Sequence, residues 1–189
     1  GPYTQGKYKD GEEYWRQAVR HRAGQSTRDS LIMAAGILEQ IGDTTTNMGV
    51  FVDVRRRNVA TFREAVRRYP ADPEAWYWLG ETLYHYPPQF GGPAAEALEA
   101  FDHSIQLDSG FAPAYEHAPF LAIQVGGVEL ARRYLNAYVK LNPTETKYSS
   151  ELRFQAAVFD PGQNGGEGFD RLLDSASARQ LLDAFFVSA

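Results

Sequence analysis

The histidines are the side chains in this sequence best suited to metal binding or proton transfer. There are four, at positions 21, 85, 103 and 117, and none belongs to an HExxH motif or another closely spaced ligand pair. His85 and His117 stand in successive helical segments and could face one groove. Polar lining or a hydrogen-bonded packing role is the expected use of such residues. We therefore expect no metal site and no cofactor.

Two further motifs resemble catalytic or nucleotide-binding elements. The residue types of a hydrolase triad occur in a row at Asp102, His103 and Ser104. Side chains of neighbouring residues on a helix point about 100° apart, so these three cannot converge on one site. The glycine-rich segment GQNGGEG at 162–168 lacks the lysine of a phosphate-binding loop, and no strand pattern precedes it. A flexible connector is the expected role of that segment. We expect no catalytic residues and no enzymatic activity.

Basic residues cluster in a predicted helix between residues 55 and 68. Arg55, Arg56 and Arg57 are followed by arginines at 63, 67 and 68, a pattern typical of a solvated helix face and less often of an anion or nucleic-acid site. Residues 1–70 carry 12 Lys and Arg against 8 Asp and Glu, whereas residues 71–189 carry 7 against 16. The acidic balance of the longer part argues against nucleic acid as a ligand.

The absence of certain residues and runs limits the remaining classes. The chain has no cysteine, which excludes disulfides and thiolate chemistry and is compatible with the cytoplasm or the periplasm, with the cytoplasm slightly favoured. It contains no run of about 18 apolar residues, so we expect no membrane span. At 189 residues and 43% hydrophobic content, it is expected to form one domain with one continuous core.

Side-chain size repeats along the chain in a way that predicts stacked helical hairpins. One bulky residue is followed by smaller ones along a single helical face, and the next helix repeats the order. The first helices carry Trp76, Leu79, Gly80 and Leu83, then Tyr115, Ala118, Pro119 and Ala122; the second helices carry Ala97, Phe101 and Ser104, then Ala131, Leu135 and Tyr138; an earlier partial unit has Phe62, Ala65 and Pro70. Small residues let antiparallel helices approach closely, and bulky residues fill the seam.

The spacing of this pattern is similar to that of the tetratricopeptide repeat. Ser109 and Pro143 occupy equivalent sites 34 residues apart, which is the repeat length, and the first hairpin carries five extra residues in a loop. The resemblance covers about residues 55–160. It implies an all-α fold, an α-solenoid of about four helical hairpins in a right-handed superhelix. We assign Trp76, Gly80, Phe101, Tyr115 and Leu135 to the seam.

The helix boundaries follow from caps and breakers. Residues 1–10 are expected to be flexible, and helices are predicted at about 12–23, from Ser26 or Thr27 to Ile41, and at about 50–69. GDTTTNMG at 42–49 is predicted to be a loop, Pro73 and Pro113 open further helices, and others are predicted at about 93–107 and 128–141. A buried stripe of Tyr148, Leu152, Ala156 and Phe159 follows. Helices within 169–189 are predicted to cap the stack, and their apolar face could also meet a partner.

The repeat resemblance also implies a ligand surface. In tetratricopeptide repeats the concave groove is lined by first-helix residues that do not form the seam. Carried over by position, these residues are Tyr77, Glu81, Tyr84 and His85 in one unit, Glu116, Phe120, Ile123 and Gln124 in the next, and Phe154 with Val158 in a partial one. Aromatic residues beside carboxylates suit an extended peptide with apolar and basic side chains, although some of these aromatics could instead pack between hairpins.

A second resemblance concerns the setting of the repeats. The segment from YPADPEAWYWLGETL to SGFAPAY resembles the C-terminal repeat region of some bacterial Ser/Thr protein kinases and related signalling proteins. It implies a sensory or docking module that binds a protein or an extended peptide. The alternative is a structural subunit of an assembly or envelope complex, held by the C-terminal helix and the YPPQFGG loop. A small-molecule site would require convergent polar groups in a closed pocket, which the sequence does not indicate.

Overall fold

Every element of the described chain is helical. The structure is a computed structural model that describes residues 26–86, 92–141, 152 and 155–156. Among these residues there is no strand. The helices are α1 (Thr27–Thr44), α2 (Met48–Arg68), α3 (Pro73–His85), α4 (Ala94–Leu107), the 3₁₀ helix η1 (Ala112–Tyr115), α5 (Ala118–Gly126) and α6 (Val128–Leu141). The prediction of an all-α fold is confirmed.

The chain divides into two compact units. The N-terminal unit comprises residues 1–93 and contains α1 to α3, whereas the C-terminal unit comprises residues 94–189 and contains α4 to α6. In the first unit α1 packs on α2 and α2 on α3; in the second, α4 packs on α5 and α5 on α6. Consecutive helices therefore pair as hairpins within each unit. The number of hairpins, the superhelix and the single domain stay predictions.

The loop predicted at 42–49 is much shorter than expected. The helix α1 begins after Ser26, whose side chain accepts a hydrogen bond from the Asp29 backbone, and it continues to Thr44. The next helix begins at once after Asn47, whose side chain accepts a hydrogen bond from the Val50 backbone at 3.1 Å. A side-chain oxygen at the N-cap satisfies a backbone donor of the first turn, so the asparagine fixes this boundary.

The buried side of α2 agrees with its predicted stripe. Val54, Phe62 and Ala65 are at most 6% exposed, while Phe51 and Tyr69 are half-buried. In α1 the predicted stripe is only partly correct, because Ala35 is fully buried but Ile41 is 41% exposed. These contacts between α1, α2 and α3 form the core of the N-terminal unit.

The start of α3 is fixed by two residues that the sequence identified. The carboxylate of Asp72 accepts hydrogen bonds from the backbone of Glu74 and Ala75, and Pro73 occupies the first turn, where its missing N–H is no loss. Arg28 at the start of α1 donates to the same Asp72 carboxylate at 2.6 Å and also pairs with Glu74. One arginine thus joins the N-termini of α1 and α3.

This arginine gives the fold a pH-dependent contribution to stability. Burial opposes the charge of Asp72, but the hydrogen bonds from Arg28 and from the backbone outweigh it, so the pKa of Asp72 is lowered. A carboxyl whose pKa is lower in the folded state stabilises the fold above its unfolded value, roughly pH 4. That stabilisation is lost as the pH falls through the folded-state pKa.

Replacing Arg28 by methionine is therefore expected to lower the free energy of unfolding by about 1–2 kcal/mol at neutral pH. The difference from the wild type should shrink below about pH 4, where Asp72 becomes protonated. Urea denaturation followed by tryptophan fluorescence measures it, since all three tryptophans lie within residues 1–93. Arg57→Met is the control, because Arg57 and its partner Asp53 are both largely exposed. Equal effects of the two substitutions would contradict this assignment.

The core of the C-terminal unit is formed by α4, η1, α5 and α6. Phe101, Leu135 and Tyr138 are fully buried, and Tyr115 is 4% exposed. The bounds of α6 are those predicted, and α5 ends where Gly127 adopts a φ of 79°, which favours glycine. Of the five predicted seam residues, only Trp76 is not buried; it is half-buried, and its indole N–H donates to the Pro70 carbonyl at 2.9 Å.

The single helix predicted from Pro113 is wrong. The segment is divided into η1 and α5, with His117 between them. Pro119 explains the division, because a proline has no N–H to donate and its ring would clash with the carbonyl of residue 115 in a continuous helix. It also disfavours helical geometry at the residue before it.

Several predicted elements lie outside the described residues. They are the segment 1–10, the helix at 12–23, most of the stripe from Tyr148 to Phe159, the GQNGGEG segment and the helices within 169–189. Leu152 and Ala156 of that stripe are described and are buried, as predicted.

Candidate functional site

The face of α3 opposite to the core carries four of the predicted ligand residues. Its buried face is formed by Ala75, Leu79, Thr82 and Leu83. The predicted ligand residues repeat the spacing of this buried set, moved two positions along the chain. A shift of two residues turns about 200° around a helix, so the ligand residues lie on the opposite side; they are Tyr77, Glu81, Tyr84 and His85. The first three are half-buried, and the His85 side chain is 54% exposed. The structure therefore brings this set together on one helical face.

Contacts within this face join aromatic and charged groups. The His85 ring lies edge-on to the Tyr84 ring, with the centroids 5.0 Å apart, and its Nε2 is 3.6 Å from the Glu81 carboxylate. The Tyr77 ring lies 5.1 Å from the ring of Trp78. We call Tyr77, Glu81, Tyr84 and His85 the α3 face. The Glu81 side chain is only 16% exposed, so the face mainly offers aromatic rings, which suit contact with an extended peptide.

The second predicted set lies on the C-terminal unit. Phe120 and Ile123 are half-buried on α5, and Gln124 is exposed. Glu116 is not on this helix, because it follows η1, where its backbone N–H donates to the Pro113 carbonyl at 3.1 Å. Phe154 is outside the described residues. A ligand role for either set remains a prediction.

The histidines and the triad-like residues of the C-terminal unit differ in burial and in their neighbours. His117 is 5% exposed, and its ring lies 6.4 Å from that of Phe101. Asp102 accepts a hydrogen bond from the Tyr134 hydroxyl, while His103 Nδ1 lies 2.9 Å from the Glu99 carbonyl oxygen and Ser104 is fully buried. The three consecutive side chains thus face different surroundings.

A pocket that sequence analysis missed lies next to the α3 face. It has a volume of about 360 Å³ and is formed within the N-terminal unit, where the end of α1, the start of α2 and the end of α3 meet. Its lining residues are Glu39 and Asp43 from α1, Phe51 and Arg55 from α2, and His85 with Tyr86 at the end of α3. We call it the N-terminal pocket. His85 belongs both to this pocket and to the α3 face.

The centre of the pocket is a buried arginine. Arg55 is 7% exposed, pairs with Asp43 and donates to the Tyr86 hydroxyl. The same hydroxyl accepts a hydrogen bond from Asn58 at 2.7 Å. The Arg55 guanidinium also lies over two aromatic rings, 4.3 Å from the Tyr86 centroid and 5.1 Å from that of Phe51.

This arrangement corrects the prediction that residues 55–57 form one solvated face. Arg56 and Arg57 are exposed, but Arg55 is buried. Helical spacing could have shown it, since Arg55 stands four residues after Phe51 and four before the buried Val59. The close approach depends on Gly42, where an added Cβ would lie 2.9 Å from the Arg55 Cζ.

The charges of the pocket are shifted by burial and by each other. Burial opposes the charge of Arg55, but Asp43 and Tyr86 outweigh it, and the pKa of Arg55 is raised. Burial also raises the pKa of Tyr86. Restricted hydration and the nearby Asp43 carboxylate raise the pKa of Glu39. The pocket lining thus has two carboxyl groups, Glu39 and Asp43, beside the single guanidinium of Arg55.

A comparison with known protein families matches the part of the chain where the repeat pattern is strongest. Residues 56–110 match the family model described as tetratricopeptide repeat. The matched residues include the Asp72 and Pro73 cap, all of α3 and all of α4. This supports the tetratricopeptide resemblance and the α-solenoid of helical hairpins. The extension of the repeat to residue 160 stays a prediction.

The tetratricopeptide match indicates a general class of function but no specific partner. Tetratricopeptide repeats generally mediate protein–protein interactions and are typically non-catalytic. A search of curated proteins finds no match to the chain. Within the described residues, no helix combines the length and apolar character that crossing a membrane requires.

Proposed function

We propose that this protein is an interaction module that binds an extended segment of a partner protein on the α3 face. The observation that carries the proposal is the arrangement of Tyr77, Glu81, Tyr84 and His85 opposite the buried side of α3. Large rings that stay partly accessible on a helix fixed by its other face provide anchoring area at a low cost in side-chain entropy.

The residues of α5 extend this proposal to the C-terminal unit. Phe120 offers a half-buried ring, and Gln124 on the same helix is exposed. We propose that this set is a separate contact surface for a partner protein. Its role is tested independently of the α3 face, since each set can be altered without the other.

The proposal is tested by selecting peptides of random sequence against the full chain and measuring their affinity for variants. Tyr84→Ala and Phe120→Ala are each expected to weaken binding about tenfold, because each removes an aromatic anchor. Circular dichroism should show unchanged helical content. Gln106→Ala, at an exposed position of α4, is the control and should bind like the wild type. Unchanged affinity in both aromatic variants would contradict the assignment.

We further propose that the module serves as the sensory or docking part of a bacterial signalling protein. The resemblance of residues 69–115 to repeat regions that accompany bacterial Ser/Thr kinases supports this setting. Reading the open reading frame around the chain tests it. A kinase catalytic domain in the same reading frame is the expected result, and a frame that encodes only an envelope or assembly protein would favour the alternative.

A further inference from the structure

The N-terminal pocket contains a carboxylate whose position suggests a ligand. Glu39 lies on the pocket lining, and in the described part of the chain it forms no ion pair within 4 Å. Asp43, by contrast, pairs with Arg55, and Glu81 lies 3.6 Å from His85. One acidic group of the pocket is thus left available for a cation from outside.

Charge complementarity at the pocket favours a cation over an anion. Arg55 is the permanent cation of the lining, and its guanidinium is already held by Asp43 and by two aromatic rings. The last turns of α1 and α3 both end at the pocket, and helix C-termini carry partial negative charge. The last turn of α1 contains no basic residue to offset that charge.

The size and lining of the pocket match one long side chain. About 360 Å³ is at the lower end of the range of small ligand sites, and the Phe51 ring supplies an apolar wall. The protein's own Arg55 shows that this environment accommodates a guanidinium over aromatic rings next to a carboxylate. A basic side chain that enters from outside would meet the Glu39 carboxylate on the lining of the same pocket.

We propose that the N-terminal pocket receives an arginine or lysine side chain of the bound partner protein, with Glu39 as its pairing carboxylate. This inference rests on the proposed function, because His85 connects the pocket to the α3 face. A partner segment that lies along α3 could place a basic residue in the pocket while its apolar residues contact Tyr84.

The inference is tested with peptides selected from random sequences against the full chain. The selected peptides are expected to share one basic position. Replacing that arginine by citrulline, or that lysine by norleucine, should weaken binding to the wild type about fivefold. In Glu39→Gln the basic and neutral peptides should bind equally. Glu99→Gln removes the same charge from an exposed position of α4 and should retain the preference.

The outcomes separate this inference from the function on which it rests. Peptides that bind through Tyr84 but share no basic position, or that keep their full preference in Glu39→Gln, would overturn the pocket assignment and leave the α3 face intact. Failure to select any peptide that binds the full chain would overturn both.

Discussion

Replacing Arg55 by alanine is expected to lower the free energy of unfolding by about 2–4 kcal/mol. The loss has three sources in the structure. Asp43 would lose its cation, the buried Tyr86 hydroxyl would lose a donor, and the volume of the guanidinium between the Phe51 and Tyr86 rings would be vacated. Because the Asp43 side chain is 37% exposed, most of the loss is expected from the buried Tyr86 hydroxyl and from the vacated volume.

Tryptophan fluorescence during urea denaturation measures this effect, because every tryptophan of the chain belongs to the N-terminal unit. Arg56→Ala is the matched control, since Arg56 is the exposed neighbour of Arg55. Arg55→Met, which fills most of the same volume, should fall between the control and Arg55→Ala. If Arg55→Ala and Arg56→Ala have the same midpoint, the buried network does not stabilise the unit as described.

The second large effect is expected in the C-terminal unit. Phe101→Ala should cost about 3–5 kcal/mol, because it removes a fully buried ring and leaves a cavity between α4 and its neighbours. A typical domain is stable by only about 5–15 kcal/mol, so a loss of this size is a large share of the stability expected for this unit.

Far-UV circular dichroism during urea denaturation reports this loss, since the C-terminal unit contains no tryptophan. Phe101→Leu retains much of the apolar volume and should cost about 1–2 kcal/mol. Gln106→Ala on the same helix is exposed and should change nothing. An effect of Phe101→Ala below about 1 kcal/mol would show that α4 is not packed as the structure describes.

Local sequence signals predicted the helices well where a cap or a breaker defined them. Asp72 and Pro73 fixed the start of α3, and the bounds of α6 were predicted to the residue. Prediction failed where two local signals competed. Gly42 and the threonines after it indicated a loop, but α1 continues to Thr44, and Gly42 leaves room within the helix for the Arg55 side chain. Pro119 stands at a repeat position but departs from the residue usual there, and its backbone chemistry divides the helix.

The four residues of the α3 face were taken from the repeat resemblance, and they share one side of α3 because they follow the helical period; their ligand role stays a prediction. The N-terminal pocket could not be predicted, because it depends on three helix ends that meet only through tertiary packing. The run of arginines at 55–57 looked uniform in sequence, although one of its members is buried and two are exposed. Composition alone does not distinguish them, whereas their positions relative to Phe51 and Val59 do.

The central claim is that a partner segment binds on the α3 face, and mapping a selected peptide by backbone amide NMR on the full chain tests it most directly. The largest chemical-shift changes are expected within residues 77–86, with further changes at Glu39 and Asp43 if the peptide carries a basic side chain. Changes confined to the exposed arginines of α2, with α3 unaffected, would contradict the claim.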